Sequence, residues 1–361
     1  MSPSGTGGSA RLRVGLVGCG DILPEHTAAW SRIPGCEMKG FFDLDPQRSA
    51  RAAAGVPGAA ACGTLDELIA GCDLVDVCSP PEAHREAVLR AIDAGRHVLI
   101  EKPVVVAVAD WEEIRARAAG AGVKIGAVHQ LKHGTHVLRA KRWLDEGRIG
   151  DLLGVSCEFL VDPDSDPWLT LRDHWVNALP GARWFEVLPH LLYLVHQFTG
   201  RLTVDGVAVL RGPRAPSAAP ADGVMATLLG ASCLVEIHLA AGSRLDRRTI
   251  VLRGAKGTIE IAILRGVSTC TSLVRVRESR PAGWIGVPFV EAASTLAQWV
   301  PDRARFFASR FFEPSLHTKL IDGFVRHVRE DAPSPTPADE IDSVVRACAA
   351  LGERIEQRLG R

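Results

Sequence analysis

From Arg11 onward, short apolar runs alternate with segments of helical period. Leu12–Val17 is a mostly apolar run that ends in a glycine turn, the pattern of a buried strand, and a helix follows through about Trp30. Met38–Phe42 predicts a second strand and Pro46–Ala54 a second helix, opened by a proline at its first position, where no backbone N–H is needed. Leu74–Cys78 and His97–Ile100 read as strands, with a helix over Glu82–Ala94 between them that Gly95 closes. Asp110–Ala121 reads as another helix and Val123–Val128 as the last strand of the series. Strands alternating with helices at this spacing predict an α/β fold, a doubly wound parallel sheet of the Rossmann kind, over residues 11–128.

The rhythm changes after His129. A helix is expected over Thr135–Glu146, with Thr135 as N-cap and Gly147 just past its end. Longer runs then follow one another without intervening helices: Leu152–Val161, Leu202–Leu210, Gly223–Leu229, Ser232–Leu239, Thr249–Arg253, Gly257–Ile263 and Ser268–Val276. They predict a large, predominantly antiparallel sheet, so residues 129–361 are expected to form an α+β domain. Pro281–Pro314, rich in Phe and Arg, reads as an amphipathic helix, packed on its own sheet in preference to a lipid- or partner-facing role. His317–Arg329 and Pro337–Gln357 read as closing helices, and the Ser/Gly-rich residues 1–10 as a disordered leader without the apolar core of a signal peptide.

Composition narrows the function. The 361 residues are 47% hydrophobic and 23% charged with a formal net charge of zero, so no basic footprint for nucleic acid and no membrane-surface charge is expected. No apolar run reaches the ~20 residues needed to span a bilayer. Nine cysteines are scattered without a CxxC or a Cys/His spacing, which points to reduced thiols in a cytoplasm and to no metal site.

The segment Gly15-Leu-Val-Gly18-Cys-Gly20-Asp21-Ile22-Leu23 lies between the first strand and its helix. Gly18 suits a tight turn, Gly20 lets the backbone approach a pyrophosphate, and the helix N-terminus beyond Asp21 and Ile22 offers amide donors. Leu23 stands where a third glycine is usual. Asp43 follows the second strand about twenty residues after the last of these glycines, where an acid accepts from the adenosine ribose. A carboxylate there repels a 2′-phosphate by roughly 4 kcal/mol at 4 Å and an effective dielectric near 20, so NAD is expected over NADP. Two other readings compete: Asp43 and Asp45 as simple turn residues before Pro46, or Arg48 as a 2′-phosphate ligand.

Two later strands end in Ser79-Pro80-Pro81-Glu-Ala-His84 and in Glu101-Lys102-Pro103, and the chain further carries Gly181-Ala-Arg-Trp-Phe-Glu186-Val-Leu-Pro-His190 and Gly254-Ala-Lys-Gly257-Thr-Ile-Glu. With the glycine turn before them, these segments resemble the Gfo/Idh/MocA family of oxidoreductases. The resemblance implies a nicotinamide cofactor pocket lined by Ser79, Pro80, His84 and Glu101, with Lys102 beside the nicotinamide. Lys102 directly follows a strand end, where doubly wound sheets bind ligands, and its ammonium suits an oxygen that gains alkoxide character.

By the same resemblance, His190 handles the proton of the reacting hydroxyl or carbonyl, and Glu186 aids substrate binding or proton transfer. Pro189 is expected in the first turn of a helix, which would set His190 at the helix's positive end and favour a neutral imidazole. Glu186 replaces the family's Asp and Leu188 its small Gly, so a reshaped pocket is expected. Gln130 and Lys132 are further candidates for cofactor or substrate. Asp173, His174, Trp175, Asn177, Arg183 and Trp184 crowd the segment before Glu186, and Arg183 suits a carboxylate or phosphate. His26, His129, His133, His136 and His196 are read as structural.

The expected function is hydride transfer between NAD(H) and a carbinol or carbonyl carbon of a sugar, cyclitol or sugar nucleotide. Three alternatives stand beside it: redox-neutral NAD-dependent elimination or glycoside hydrolysis, imine reduction, and a non-catalytic dinucleotide-binding regulator. The resemblance also implies a homodimer or homotetramer joined through the C-terminal sheet.

Overall fold

A computed structural model describes residues 11–162, 174–211, 221–272, 296–297, 300, 304 and 315–360. The expected leader, Asp173, residues 273–276 of the last expected strand and most of Pro281–Pro314 lie outside the described residues. The chain divides into two compact units, Met1–Val128 with Pro314–Ala338, and His129–Glu313 with Asp339–Arg361.

In the first unit, β1 (Leu12–Val17), β2 (Cys36–Phe42), β3 (Ala60–Ala61), β4 (Leu74–Val77), β5 (His97–Ile100) and β6 (Ile125–Ala127) form one sheet in the order β3-β2-β1-β4-β5-β6. Every pairing is parallel. The order reverses direction between β1 and β4, and a ligand crevice opens at the carboxyl ends of strands at such a switch point. The connecting helices are α1 (Leu23–Trp30), α2 (Pro46–Ala54), α3 (Leu65–Gly71), α4 (His84–Asp93) and α5 (Val108–Ala121). Proline opens α2 as expected, and the Asp45 side chain caps it by accepting from Gln47 N at 2.9 Å. The pair β3 and α3 was not anticipated. β3 is only two exposed alanines, yet α3 carries a readable start: Thr64 Oγ1 accepts from Glu67 N, and Glu67 Oε2 accepts from Gly63 N.

The second unit holds α6 (Thr135–Asp145), β7 (Leu152–Val161), α7 (Arg183–Thr199), β8 (Thr203–Leu210), β9 (Gly223–Leu229), β10 (Leu234–Ala241), β11 (Arg247–Gly254), β12 (Gly257–Ala262) and β13 (Val267–Ser272). Its seven-stranded sheet runs β13-β12-β11-β7-β10-β9-β8. The β7–β10 pair is parallel and the others are antiparallel. Strict alternation in β9 and β10 turns Val224, Ala226, Leu228, Val235, Ile237 and Leu239 inward. Gly134, not Thr135, is the N-cap of α6, while Gly147 takes the left-handed conformation (φ +67°) expected just past its end.

The largest correction to the domain division concerns α8 (Leu316–Glu330). Expected in the second domain with everything after residue 128, it belongs to the first unit. Its Leu320, Ile321, Phe324 and Val325 join a core with Leu12, Val14, Leu16, Phe41 and Leu99. Gly126 makes room for it, since a Cβ there would meet the Phe324 ring at 2.9 Å. The chain then enters α9 (Ala338–Leu359), which from Asp339 on packs in the second unit. Among the described residues, no helix is long and apolar enough to cross a membrane.

Candidate active site

The turn after β1 is built around two glycines with different tasks. Gly18 has φ +89°, its N–H donates to Phe42 O at 2.9 Å, and a Cβ on it would lie 2.5 Å from Ser79 N. Only glycine lets the β1 and β4 turns approach this closely. Around Gly20 nothing lies within 4 Å of the Cβ position, so its backbone faces open space. Asp21 is exposed and Ile22 is the N-cap of α1, whose first amides therefore stand next to that space. Asp43 Oδ2 accepts from Cys19 N at 2.7 Å and Oδ1 from Asp45 N at 2.8 Å. The acid thus fixes the glycine turn in addition to any ribose it meets. Arg48 sits 3.7 Å from Asp45, at the far end of the same turn.

At the end of β4, Ser79 Oγ is buried with no hydrogen-bond partner among the described residues, and Pro80 is exposed. A buried hydroxyl left unpaired is costly unless a ligand satisfies it. His84 is fully buried. Its Nε2 lies 2.6 Å from Ser79 O and its Nδ1 3.0 Å from Val104 O. Burial lowers its pKa against the pull of those carbonyls, so His84 shapes the Ser79 loop from behind. An open glycine cradle, the N-terminus of α1 and an unpaired Ser79 hydroxyl together suit a dinucleotide: pyrophosphate at the helix end, the remainder along the strand ends.

Lys102 follows β5 and is half-buried, joined to Pro103 by a cis peptide bond. Its backbone N–H donates to Glu101 Oε2 at 2.8 Å. Glu101 Oε1 lies 3.0 Å from His26 Nε2, and His26 Nδ1 lies 2.7 Å from Asp76 Oδ2, which also accepts from Trp30 Nε1 at 2.7 Å. Burial disfavours charge on His26, but Asp76 and the neighbouring Cys78 outweigh it and hold the pKa well above the ordinary value. An imidazolium donating from both nitrogens satisfies both carboxylates. For Glu101, burial pushes the carboxyl up, while the bond to His26, its charge and Lys102 bring it down to about 2. His317 Nε2 stands 4.0 Å from Glu101 Oε1. His26, Glu101 and His317 each bring one donor atom to within 4.8 Å of the others, a grouping that could also hold a cation and that the cysteine and histidine spacings did not reveal.

In the second unit, α7 begins at Arg183, after a turn in which Gly181 (φ +79°) and Ala182 (φ +49°) reverse the chain. Pro189 is therefore an interior residue of the helix and not a first-turn one. Its missing N–H leaves the Phe185 carbonyl without its usual intrahelical donor. His190 lies mid-helix, and the expected neutralising effect of the helix's positive end does not apply, because that field falls off within the first turn. His190 is half-buried, with Nδ1 at 2.8 Å from Tyr193 Oη.

Glu186 is buried and ion-paired with Arg183 one turn earlier. Trp184 lies next to Arg183 in the chain. It is wholly buried and donates from Nε1 to Ala221 O at 3.3 Å, a core residue. Trp175 and Asn177 lie in a short 3₁₀ helix, half-buried. Gln130 opens another, its Oε1 buried with no partner among the described residues, and Lys132 is ion-paired with Glu340.

Residues 12–129 match the family model described as "Oxidoreductase family, NAD-binding Rossmann fold", and residues 137–260 match the GFO/IDH/MocA C-terminal domain. The chain belongs to the Gfo/Idh/MocA oxidoreductase family. It is 26% identical to a glucose-6-phosphate 3-dehydrogenase of Bacillus subtilis over 41% of this chain and 42% of that protein. To an inositol 2-dehydrogenase of Mycolicibacterium gilvum it is 25% identical over 76% of each. The matched segments span about half the length of the first curated relatives, 48% and 42% for the first two. Its fold is similar to that of the WlbA dehydrogenase from Bordetella pertussis, solved with NADH and UDP-GlcNAcA, at a TM-score of 0.73, 19% identity, and 96% coverage of both chains.

Within this Gfo/Idh/MocA member, sequence reasoning missed the partners that stand behind the candidate residues. Asp76, an acid in the middle of an otherwise apolar β4, was a visible signal that a buried counter-charge exists. His26 and His129, read as partnerless, both meet carboxylates: His129 Nδ1 lies 2.7 Å from Glu340 Oε1. Their acids come from distant elements, so no local spacing announced them. Tyr193, the only tyrosine of the chain, had no part in the sequence reading, since its partners Leu131 and His129 lie some sixty residues away.

Proposed function

We propose that this chain is an NAD-dependent dehydrogenase acting on a carbinol or carbonyl carbon of a sugar, cyclitol or sugar nucleotide. The observation that carries this reading is the set of groups at the carboxyl ends of β1, β4 and β5. There the open Gly20 backbone, the unpaired Ser79 hydroxyl and Lys102 occupy neighbouring strand ends. NAD, when bound, supplies the hydride acceptor and, reduced, the donor. Gly18, Gly20, Asp21 and Ile22 would hold its pyrophosphate, Asp43 its ribose, and Ser79 with Pro80 the strand-end part of the pocket. The Lys102 ammonium donates a hydrogen bond to the substrate oxygen and stabilises its alkoxide character. His190 takes the hydroxyl proton at a ring nitrogen on oxidation and returns it on reduction, a role typically worth roughly 10²–10⁴-fold. Glu186, neutralised by Arg183, positions that segment of α7.

The substrate class follows from the polar, polyhydroxylated compounds in the relatives' names, inositol and glucose 6-phosphate among them. Titration calorimetry with NADH and NADPH, followed by NAD⁺ reduction with those two compounds and UDP-N-acetylglucosamine, tests it. NADH is expected to bind tighter than NADPH, and Lys102→Met to lower kcat at least 10³-fold while NADH affinity stays within a few-fold. A fully active Lys102→Met, or no binding of either cofactor, overturns the reading.

The chain is also expected to form a homodimer or homotetramer. The outward face of β8–β10 carries exposed Leu210, Met225, Leu229 and Leu234, where Leu234 pairs with Leu229 across the strands. Replacing Met225 and Leu229 by Glu should convert a sedimenting oligomer to monomer. The nine cysteines form no disulfide among the described residues, which fits a reducing cytoplasm.

A further inference from the structure

The back of His190 is more heavily built than a helix position requires. Tyr193, one turn on in α7, is wholly buried. Its Oη accepts from Leu131 N at 3.2 Å and lies 2.8 Å from His190 Nδ1. Its ring stacks on His129 with centroids 4.4 Å apart and planes at 20°. His129 in turn is held by Glu340, which also pairs with Lys132. The phenol ring is thus fixed by a stacked, carboxylate-anchored imidazole, and its hydroxyl by a backbone amide.

We propose that Tyr193 is the positioning residue that sets the tautomer of His190. The inference rests on the reading of His190 as the proton acceptor. Leu131 N–H occupies one lone pair of Oη, and in the arrangement proposed the other accepts from His190 Nδ1–H, 2.8 Å away. The proton of the neutral imidazole is then on Nδ1, and Nε2 is the unprotonated nitrogen. In the proton step the substrate O–H bond breaks and an Nε2–H bond forms. The Nδ1–H bond is neither made nor broken, and the imidazolium that results keeps Tyr193 Oη as its acceptor. Were the phenol instead to donate to Nδ1, Nε2 would already hold a proton and could not take another. An oriented partner on the second ring nitrogen is what keeps a catalytic imidazole in the productive tautomer.

Tyr193→Phe removes the hydroxyl and leaves the ring, its volume and its stacking on His129. In protein labelled with ¹⁵N in histidine, long-range ¹H–¹⁵N spectra report both ring nitrogens of each histidine. Those of His190 are assigned by their absence in His190→Gln. The wild type is expected to show His190 protonated at Nδ1, and Tyr193→Phe to show averaged nitrogens. A wild-type His190 protonated at Nε2, or nitrogens unchanged in Tyr193→Phe, overturns the proposal, and the wild-type spectrum decides even if the variant fails to fold. With myo-inositol and NAD⁺ as the probe pair, Tyr193→Phe should lower kcat with KM unchanged, by up to roughly 10⁴-fold if the wrong tautomer takes over. A Tyr193→Phe that loses KM and kcat together would indicate a merely structural residue and also overturn it. A fully active His190→Gln would sink the catalytic reading of His190 by itself, whereas an inactive His190→Gln beside an unimpaired Tyr193→Phe would sink only the role given to Tyr193.

Discussion

Gly18 and Gly20 are two residues apart and fail for opposite reasons. A methyl group on Gly18 would press against Ser79 N at 2.5 Å in a backbone conformation of φ +89°. Such strain costs about 1–3 kcal/mol, so Gly18→Ala should lower the melting temperature by several degrees and weaken NADH binding with it. A methyl group on Gly20 meets no protein atom within 4 Å. Gly20→Ala should therefore leave the calorimetric melting temperature in place while raising the NADH Kd by about tenfold or more, as the methyl enters the cradle. Undiminished NADH binding by Gly20→Ala would remove the pyrophosphate from this turn. Both glycines were legible from the sequence, because a strand, a glycine pair and a helix are a local pattern. Asp43 was legible only by position. Its grip on the Cys19 amide joins two turns that the sequence separates by 24 residues. Arg183 and Trp184 show the converse: residue types suited to binding were absorbed by an ion pair and by the core, which their chemistry alone does not distinguish.

At the scale of elements, α8 is the informative case. The helical period over His317–Arg329 was readable, and Leu320, Ile321, Phe324 and Val325 do lie on its buried side. An apolar stripe states that a helix packs on something but not on which sheet, so its return to the first unit could not be read from it. Gly126 in β6 holds the missing half of the message, since only a glycine there admits the Phe324 ring. Truncating a fully buried Phe costs about 3–5 kcal/mol. Phe324→Ala should accordingly destabilise the first unit, seen as an earlier urea midpoint for loss of NADH binding, with a smaller effect on the second unit's own transition. Coincident, unshifted transitions would mean that α8 contributes little to the dinucleotide fold. The start of α7 failed for a related reason: proline statistics favour a first turn, but a helix packed on both sides tolerates an interior Pro189.

Across the whole molecule, the alternation that separates an α/β half from a strand-rich half was plain in the sequence, whereas the charges buried inside each half were not. His26, Asp76, Glu101 and His317 meet within the first unit, and His129, Lys132 and Glu340 within the second, each from elements far apart in sequence. Glu101 in the first unit and Glu340 in the second are both buried carboxylates whose partners overcome the cost of burial. Burial raises the Glu340 carboxyl, but hydrogen bonds and charge from His129 and Lys132 bring it to about 2, the same value as Glu101. A folded pKa below the unfolded one gives stability that is present above the unfolded value, near 4.3, and is lost as pH falls from there through about 2. Each group contributes on the order of 3 kcal/mol at neutral pH by this linkage. His26 has the opposite sign: its raised pKa stabilises the fold fully below about 6.5, and that contribution fades only as pH climbs through its elevated folded value. Stability measured by urea unfolding should therefore fall steeply between about pH 4.5 and 2 in both units. Glu101→Gln should flatten that acid limb for the NADH-binding unit alone, and Glu340→Gln for the other alone. A variant that flattened both limbs would mean that the two units unfold as one cooperative body, and one that flattened neither would deny these carboxylates their buried, charged state.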